Sequence, residues 1–166
     1  TRFNKDIELS SIDTALLLAG ILFCQSYFDN KTETENHIRA YSDSLYRRVE
    51  WKWLQARPPA ISMGWYPKKG FHQSDWHGYN EATILYILAL GSPTHAVDEE
   101  AWKGFTENYI WLSYYGKDFL SFGPLFGHQY SHAWIDFRGI KDVYLQKKGI
   151  DYHENSRRAT LTHRSY

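Results

Sequence analysis

The sequence predicts an all-α fold of nested helical hairpins, in which buried inner helices alternate with outer helices that are wetted on one face. Two features of the chain predict it. Runs without a polar face recur at residues 11–28 and 80–90, which is typical of helices that are buried on all sides. Amphipathic segments with apolar residues three or four apart follow these runs. Inner helices of such hairpins run parallel, so we expect their N-termini to gather at one end of the fold.

Length and composition limit the possible classes of protein. The 166 residues suffice for a single domain over residues 1–166 with a core of its own. The formal net charge is zero, so the chain lacks the basic field that nucleic-acid binding requires. The longest apolar run, residues 15–24, is shorter than the ~20 residues that span a bilayer. No cofactor is predicted.

Aromatic residues make up 17% of the chain, with seven Trp and thirteen Tyr. These side chains combine a flat apolar face with a polar tip, which suits a binding surface. Flat rings also pack against the C–H faces of sugars. We therefore expect an aromatic binding surface, and the alternative is an aromatic core.

The first predicted helix spans residues 11–28. Ser10 is its expected N-cap, and Asp13 stands three residues on as the capping-box partner. Because no polar face is left, we expect burial on every side, with Cys24 as a small buried hydrophobe. Cys24 is the single cysteine of the chain, which excludes an internal disulfide.

A second, amphipathic helix opens with a capping box at residues 32–35 and should end before Pro58-Pro59. A long connection follows over residues 55–78. Within it, residues 61–65 and Phe71 are expected to form a small hairpin about the turn at residues 67–70. Ordered connections of this length are usually functional.

Capping residues and glycines indicate where the remaining helices begin and end. We expect them at residues 80–90, 98–115, 129–137, 142–148 and 155–166. Asn80 and Asp98 can cap the first two, while Gly91 and Gly116 end them.

The motif Gly78-Tyr79-Asn80-Glu81-Ala82 puts one acidic side chain at the mouth of an otherwise apolar helix. The loop ahead of it holds several aromatic residues: Trp65, Phe71, Trp76 and Tyr79. A carboxylate among aromatic rings on a rigid helix end is what a sugar-cleaving enzyme needs, so we expect Glu81 to be a catalytic acid. The alternative is that Glu81 stands there only because acids favour helix N-termini.

A second carboxyl is needed for inverting glycoside hydrolysis, about 6.5–9.5 Å from the acid. If the inner helices are parallel, Glu8 and Asp13 converge with Glu81 and residues 128–136 at one end of the fold. Asp13 or Glu8 would then be the base. The alternatives are a capping role for Asp13 and plain loop surface for Glu8.

Residues 127–138 are dense in polar groups. His128 and His132 are four residues apart, so they could share a helix face and bind metal. No third ligand is obvious, and hydrogen bonds to sugar hydroxyls are the favoured interpretation, the alternative being buried histidines. Asp136 and Arg138 are too close in sequence to share a helix face, so each is expected to pair elsewhere.

Residues 151–158 carry alternating charges. We expect an ion-pair cluster that fixes the last helix, formed by Asp151, Glu154, Arg157 and Arg158.

Seven segments together resemble one known family. They are Ile12-Asp13-Thr14-Ala15-Leu16-Leu17-Leu18-Ala19-Gly20, Met63-Gly64-Trp65, Gly78-Tyr79-Asn80-Glu81-Ala82, Leu88-Ala89-Leu90-Gly91-Ser92-Pro93-Thr94-His95, Pro124-Leu125-Phe126-Gly127-His128-Gln129-Tyr130-Ser131-His132, Trp134-Ile135-Asp136-Phe137-Arg138-Gly139 and Glu154-Asn155-Ser156-Arg157-Arg158-Ala159-Thr160. In this order they are similar to the bacterial glycoamylase-like family over nearly the whole chain. Its members include endo-β-1,2-glucanases of glycoside hydrolase family 144, and the carboxy-terminal region of cyclic β-1,2-glucan synthases is similar.

The resemblance implies an (α/α)6 toroid and inverting hydrolysis of a glucan, with β-1,2-glucan as the favoured substrate. It places the catalytic acid on Glu81 and the family's acidic pair on Glu8 and Asp13. Six hairpins of about 50 residues each need about 300 residues, so this chain looks like about half of such a toroid. The remainder of its own domain is then an expected partner.

The expected function is a glycoside hydrolase with an oligo- or polysaccharide substrate and no nucleic-acid partner. The residues expected to line the sugar subsites are Trp65, Trp76, Tyr79, His128, Gln129, Tyr130, His132 and Asp136. The alternatives are a non-catalytic glucan-binding or chain-length-control module of a larger synthase and a helical scaffold that binds protein. A periplasmic or secreted location is favoured, while linkage, endo or exo action and oligomeric state stay open.

Overall fold

The structure is a computed structural model that describes residues 7–166, so the first six residues of the predicted domain lie outside it. It is rich in helix. The helices are α1 (Ser11–Tyr27), α2 (Glu33–Arg47), α3 (Trp51–Leu54), α4 (Thr83–Leu90), α5 (Glu100–Thr106), α6 (Phe126–Gln129), α7 (Val143–Lys148) and α8 (Tyr152–Ser165), with a 3-10 helix at Ser131–Ala133. The strands are β1 (Leu9–Ser10), β2 (Gly64–Tyr66), β3 (Gly70–Phe71), β4 (Trp111–Tyr114) and β5 (Lys117–Leu120).

The described residues form two compact units. Unit 1 holds residues 7–76 and 84–102, and unit 2 holds residues 77–83 and 103–166. Each has buried apolar side chains of its own. The organisation of residues 1–166 as one domain stays a prediction.

Helix α1 begins as predicted, because the Ser10 hydroxyl accepts a hydrogen bond from the backbone N–H of Asp13 at 3.2 Å. The predicted burial on all sides is wrong. Leu17 is 64% exposed and Phe23 58% exposed, and Cys24 is exposed as well. In unit 1 the helix packs along α2, so only part of its surface is covered and an apolar face stays open.

Helix α2 also begins at the predicted cap, where the Thr32 hydroxyl accepts from the N–H of Glu35 at 3.2 Å. The Glu35 carboxylate accepts from the N–H of Asn30 at 2.7 Å, which ties down the preceding turn. The helix ends at Arg47, earlier than predicted, and the short helix α3 follows.

A three-stranded antiparallel sheet of order β1-β2-β3 organises the long connection. The hairpin predicted about residues 67–70 is confirmed, with Trp65 opposite Phe71. The sequence did not predict strand β1, whose Leu9 pairs with Trp65 and whose Ser10 pairs with Gly64. This pairing brings the residues just before α1 alongside β2.

Helix α4 supplies buried side chains to unit 1, including Leu85 and Tyr86, which are fully enclosed. The Tyr86 hydroxyl accepts from the N–H of Ile61 at 3.1 Å and donates to the carbonyl of Trp76 at 2.9 Å. Burial raises the pKa of Tyr86 to about 12. The predicted apolar core helix is therefore confirmed, although it begins at Thr83 rather than near residue 80.

Unit 2 contains a β-hairpin where the sequence predicted the second half of a helix. Helix α5 ends at Thr106, and β4 pairs with β5 in register from Trp111–Leu120 to Tyr114–Lys117. Tyr115 and Gly116 have φ angles of 48° and 69°, the positive values that a two-residue type I′ turn requires. The helix therefore stops at Thr106, and the turn at residues 115–116 reverses the chain between β4 and β5.

The predicted fifth helix is broken into α6 and the 3-10 helix, and residues 135–142 follow without regular structure. The last helix, α8, begins at Tyr152 because the carboxylate of Asp151 accepts from the N–H of Glu154 at 2.7 Å. Glu154 forms ion pairs with Arg157 at 2.8 Å and Arg158 at 2.9 Å. The predicted charge cluster is thus confirmed, except that Asp151 caps the helix and accepts from Gly139 N–H at 2.8 Å.

Unit 2 has an aromatic core that includes a buried row of hydroxyl groups. Tyr152 donates to Asp142 Oδ2 at 2.7 Å, and the hydroxyls of Tyr109 and Tyr152 lie 2.9 Å apart. Tyr79 stacks on Tyr152 with ring centroids 6.2 Å apart. We call Asp142, Tyr152 and Tyr109 the tyrosine row. Burial raises the pKa of both row tyrosines well above the usual value.

Across residues 7–166, no helix combines the length and hydrophobicity needed to cross a bilayer.

Candidate functional site

The residues predicted for the site are divided between the two units. Unit 1 holds Glu8, Asp13, Trp65 and Trp76, and unit 2 holds Tyr79, Glu81, His128, Gln129, Tyr130, His132 and Asp136. Each group has its own local geometry.

Glu81 lies in a turn ahead of α4 and not in the first turn of the helix. The side chain of Asn80 closes this turn, accepting from the N–H of Ala82 at 2.9 Å and donating to the carbonyl of His77 at 3.0 Å. Gly78, with φ of 72°, donates its N–H to the carbonyl of Phe105 at 2.9 Å. The position of Glu81 is therefore set by the turn and not by a helix terminus.

The carboxylate of Glu81 carries a free oxygen. Its Oε2 atom is buried and has no hydrogen-bond partner among residues 7–166. A buried acceptor without a partner costs about 1–3 kcal/mol, and more when it is charged. The backbone carbonyl of Glu81 accepts from the Ser131 hydroxyl at 3.3 Å, which links the turn to the 3-10 helix. The Oε2 atom is therefore not committed to a hydrogen bond within the described residues.

His128 lies inside unit 2 and is fully buried. The rings of Tyr79, Phe119 and Phe122 surround it, with centroids 5.1, 5.8 and 6.4 Å away. Its Nε2 lies 3.0 Å from the carbonyl of Phe122, and since a carbonyl can only accept, Nε2 carries the proton. Burial lowers the pKa of His128 to about 4. The imidazole is therefore neutral at physiological pH.

Three of the predicted sugar-lining residues are enclosed instead of exposed. His128 is fully buried, Tyr79 is 5% exposed, and Trp76 is 9% exposed. In unit 1, the indole N–H of Trp76 donates to the Ser11 hydroxyl at 3.0 Å, which fixes the start of α1. A sugar has no surface of these residues to pack on, so they are not kept among the substrate-binding candidates.

Gln129 and Tyr130, by contrast, are exposed. The side-chain amide of Gln129 donates to the Thr160 hydroxyl of α8 at 3.2 Å, and the Tyr130 ring packs edge-on against Phe126 at 6.3 Å. Both side chains are available at the surface of unit 2.

An open cleft of about 720 Å³ in unit 2 includes the last two predicted residues, His132 and Asp136. Its lining comes from residues 132–138 and from α8, and is formed by His132, Ala133, Trp134, Ile135, Asp136, Phe137, Arg138, His153, Ser156, Arg157, Thr160 and Leu161. Burial, followed by the nearby His153, lowers the pKa of His132. Trp134 stands in one of the segments that resemble the family, but neither Trp134 nor His153 had been predicted as a site residue.

Asp136 and Arg138 pair with each other, which corrects the expectation that each pairs elsewhere. Arg138 Nε lies 2.8 and 3.0 Å from the two carboxylate oxygens. The segment is not helical, so residues two apart can point the same way, while Phe137 between them is 2% exposed and anchors the segment. The hydrogen bonds from Arg138 lower the pKa of Asp136 to about 2.

In unit 1, Glu8 is held against strand β2 and is not plain loop surface. Its Oε2 accepts from the Tyr66 hydroxyl at 3.0 Å. The carboxylate lies directly over Gly64, where an added Cβ would come within 2.1 Å of Glu8 Oε1. Only a residue without a side chain leaves room for the carboxylate here.

The other unit 1 residues are more open. Asp13 is exposed, and it contributes its backbone N–H to the helix cap. Trp65 is half-buried, with its ring 5.8 Å from that of Trp53. Within residues 7–166, no group of three or more His, Cys, Asp or Glu side chains is arranged to hold a metal ion.

Comparison with known proteins decides the family. Residues 73–166 match the family described as "Putative glucoamylase". The chain belongs to this glycoamylase-like family. A protein of that description from Bacteroides uniformis is 31% identical, with a TM-score of 0.89 over 99% of this chain and 42% of its own.

Two further relatives of this family member have named activities. An endo-β-1,2-glucanase from Chitinophaga pinensis, solved with sophorotriose and glucose, is 30% identical, with a TM-score of 0.85 over 94% of this chain and 39% of its own. An exo β-1,2-glucooligosaccharide sophorohydrolase from Parabacteroides distasonis is 24% identical over 98% of this chain and 26% of its own. The chain therefore spans between about a quarter and two fifths of the length of these relatives.

Proposed function

We propose that this glycoamylase-like protein is a glycoside hydrolase that cleaves β-1,2-glucan, with Glu81 as the catalytic acid. The observation that carries the proposal is the buried Oε2 atom of Glu81, which has no partner within the described part of the chain. A carboxyl oxygen held in a fixed turn and left without a partner is suited to deliver a proton to a glycosidic oxygen. The named activities of the two β-1,2-glucan-cleaving relatives support the substrate class.

The proposed reaction inverts the anomeric centre. Protonated Glu81 gives its proton to the glycosidic oxygen as the C–O bond breaks, and a second carboxylate takes a proton from the attacking water. Glu8, fixed by Tyr66 over Gly64, and Asp13, at the start of α1, are the candidates for this base. Gln129, Tyr130, His132 and Asp136 are proposed to bind the sugar hydroxyls.

The chain is further proposed to supply about half of the helices of an (α/α)6 toroid. Supporting this, it matches solved structures more than twice its length over nearly all of its own length. The exposed apolar face of α1 in unit 1, at Leu17 and Phe23, is the kind of surface that a further helix would cover.

The test is the release of soluble oligosaccharides by the complete protein from linear β-1,2-glucan, with starch as the control polymer. We expect release from β-1,2-glucan alone, and the chain lengths of the products will separate endo from exo action. No release from either polymer would overturn the hydrolase assignment. Measured affinity for the glucan would then favour a non-catalytic binding module.

Replacing Gly64 by alanine is expected to displace the Glu8 carboxylate without removing it, because the new Cβ would come within 2.1 Å of Oε1. If Glu8 acts in the reaction, a shift of about 1 Å should lower kcat roughly a hundred-fold. The measurement is kcat on β-1,2-glucan, with Gly123→Ala as the control because a Cβ at Gly123 meets nothing within 4 Å. Unchanged kcat in a folded Gly64→Ala protein would remove Glu8 from the catalytic set and leave Asp13 as the candidate base.

A further inference from the structure

The cleft between residues 132–138 and α8 has a size that suits a ligand. Its volume of about 720 Å³ falls within the roughly 300–1,000 Å³ of small-molecule sites. It also adjoins the turn of the proposed acid, because Ser131, whose hydroxyl contacts the Glu81 carbonyl, directly precedes the lining residue His132. A ligand in the cleft would therefore lie close to the segment that positions Glu81.

One wall of the cleft carries an exposed indole ring. Trp134 is 38% exposed and lines the cleft, although Trp is a residue that usually loses more of its surface on folding. A flat apolar ring in a cleft that also carries charged side chains can pack against the C–H face of a pyranose while those side chains bind its hydroxyls. Phe137, three residues on, is buried against His132 and Tyr152 with centroids 4.6 and 5.8 Å away, so the segment has a rigid anchor.

Two polar groups of the cleft, Asp136 and Arg138, are already paired with each other without a ligand. Arg138 holds Asp136 through two contacts from Nε, at 2.8 and 3.0 Å, and both side chains are largely exposed. A guanidinium has five N–H donors and a carboxylate about four acceptor positions, so the pair keeps donors and acceptors for a ligand. Side chains that are already ordered lose less entropy on binding.

The charge of the cleft favours a neutral ligand. Arg138 is paired with Asp136, and Arg157, on the opposite wall, is paired with Glu154 at 2.8 Å. Both arginines of the lining are therefore neutralised by carboxylates. A phosphate or carboxylate ligand would have to compete with these partners, whereas the hydroxyl groups of a sugar can add to them.

We propose that this cleft is a sugar-binding subsite in which Trp134 packs against one glucose residue and the Asp136–Arg138 pair binds its hydroxyls. That the sugar is a residue of the β-1,2-glucan chain rests on the proposed function. The subsite makes Trp134 and Arg138 determinants of how long an oligosaccharide must be to bind well. Neither residue takes part in the bond cleavage itself.

The experiment measures the affinity of a graded series of β-1,2-linked gluco-oligosaccharides by calorimetry. The complete protein carries Glu81→Gln so that no substrate is consumed. Adding Trp134→Ala is expected to weaken binding roughly ten-fold or more for those oligosaccharides long enough to reach the cleft, with little change for shorter ones. Trp134→Phe should recover part of the loss, because it restores a flat ring.

The matched control is Tyr114→Ala, which removes an exposed aromatic ring of unit 2 outside the cleft and should leave every affinity unchanged. Equal loss in this control, or no loss in Trp134→Ala at any length, would overturn the subsite. The two proposals fail separately. A wild-type protein that cleaves no glucan but loses oligosaccharide affinity in Trp134→Ala refutes the hydrolase and keeps the subsite.

Discussion

Turnover of β-1,2-glucan by the Glu81→Gln protein is expected to fall roughly a hundred- to ten-thousand-fold, the usual contribution of a general acid. Glutamine has nearly the same shape as glutamate but has no acidic proton to give to the leaving oxygen. Binding of the glucan should persist, because the turn that Asn80 closes does not involve the Glu81 carboxylate. The measurement is kcat from released reducing ends, beside affinity for the same oligosaccharide.

A control variant and a control substrate test whether the loss of turnover comes from the missing acid. Glu107→Gln removes an exposed carboxylate of the same unit and should leave kcat unchanged. An aryl glycoside whose leaving group needs no protonation should lose far less turnover than the natural glucan in Glu81→Gln. Retained turnover of the natural glucan would show that another group is the acid.

The second large effect concerns stability in acid. His128 has its pKa lowered to about 4 in the folded protein, against about 6.5 in an unfolded chain. Between these values the unfolded state binds a proton that the folded state does not, so stability is fully present above pH 6.5 and decreases as the pH falls towards 4. The free energy of unfolding should fall by about 3 kcal/mol over this range. The lowered pKa of His132 adds in the same direction.

Denaturant unfolding at a series of pH values tests this expectation. His128→Gln keeps a side-chain N–H that can donate to the Phe122 carbonyl but has no titrating group, so its stability should depend less steeply on pH below 6.5. His37→Gln, which changes an exposed histidine outside unit 2, is the control for the loss of a histidine as such. Equal slopes in the wild-type and His128→Gln proteins would contradict the assignment.

Local signals predicted the elements whose boundaries depend on neighbouring residues. The caps at Ser10 and Thr32 were correct because a hydroxyl needs only a backbone N–H three residues away. The hairpin before Phe71 was correct for the same reason, since its turn is local. The β4–β5 hairpin was missed, although the turn at Tyr115-Gly116 was a usable signal, because residues 98–115 also carry a helical pattern of apolar residues.

The sequence did not predict the contacts in the candidate site that join residues far apart in the chain. The sequence singled out Glu81 by its motif, but the Ser131 contact lies fifty residues away along the chain. His128 and Trp76 were expected to touch sugar because they stand in polar or loop segments. Phe119 and Phe122 pack around His128, and Trp76 donates its indole N–H to Ser11. Sequence spacing alone does not reveal such long-range neighbours.

The hydrogen bonds along the tyrosine row of unit 2 all run in one direction, towards Asp142. Asp142 accepts the single hydroxyl proton of Tyr152, so Tyr109 must be the donor to Tyr152. Because burial raises the pKa of both hydroxyls well above the usual value, neither ring becomes tyrosinate in moderate alkali. When the folded protein is titrated with alkali, its ultraviolet absorbance should therefore show fewer tyrosinates than the thirteen tyrosines of the chain. The tyrosinate absorbance of Tyr109 and Tyr152 should appear only as unit 2 unfolds.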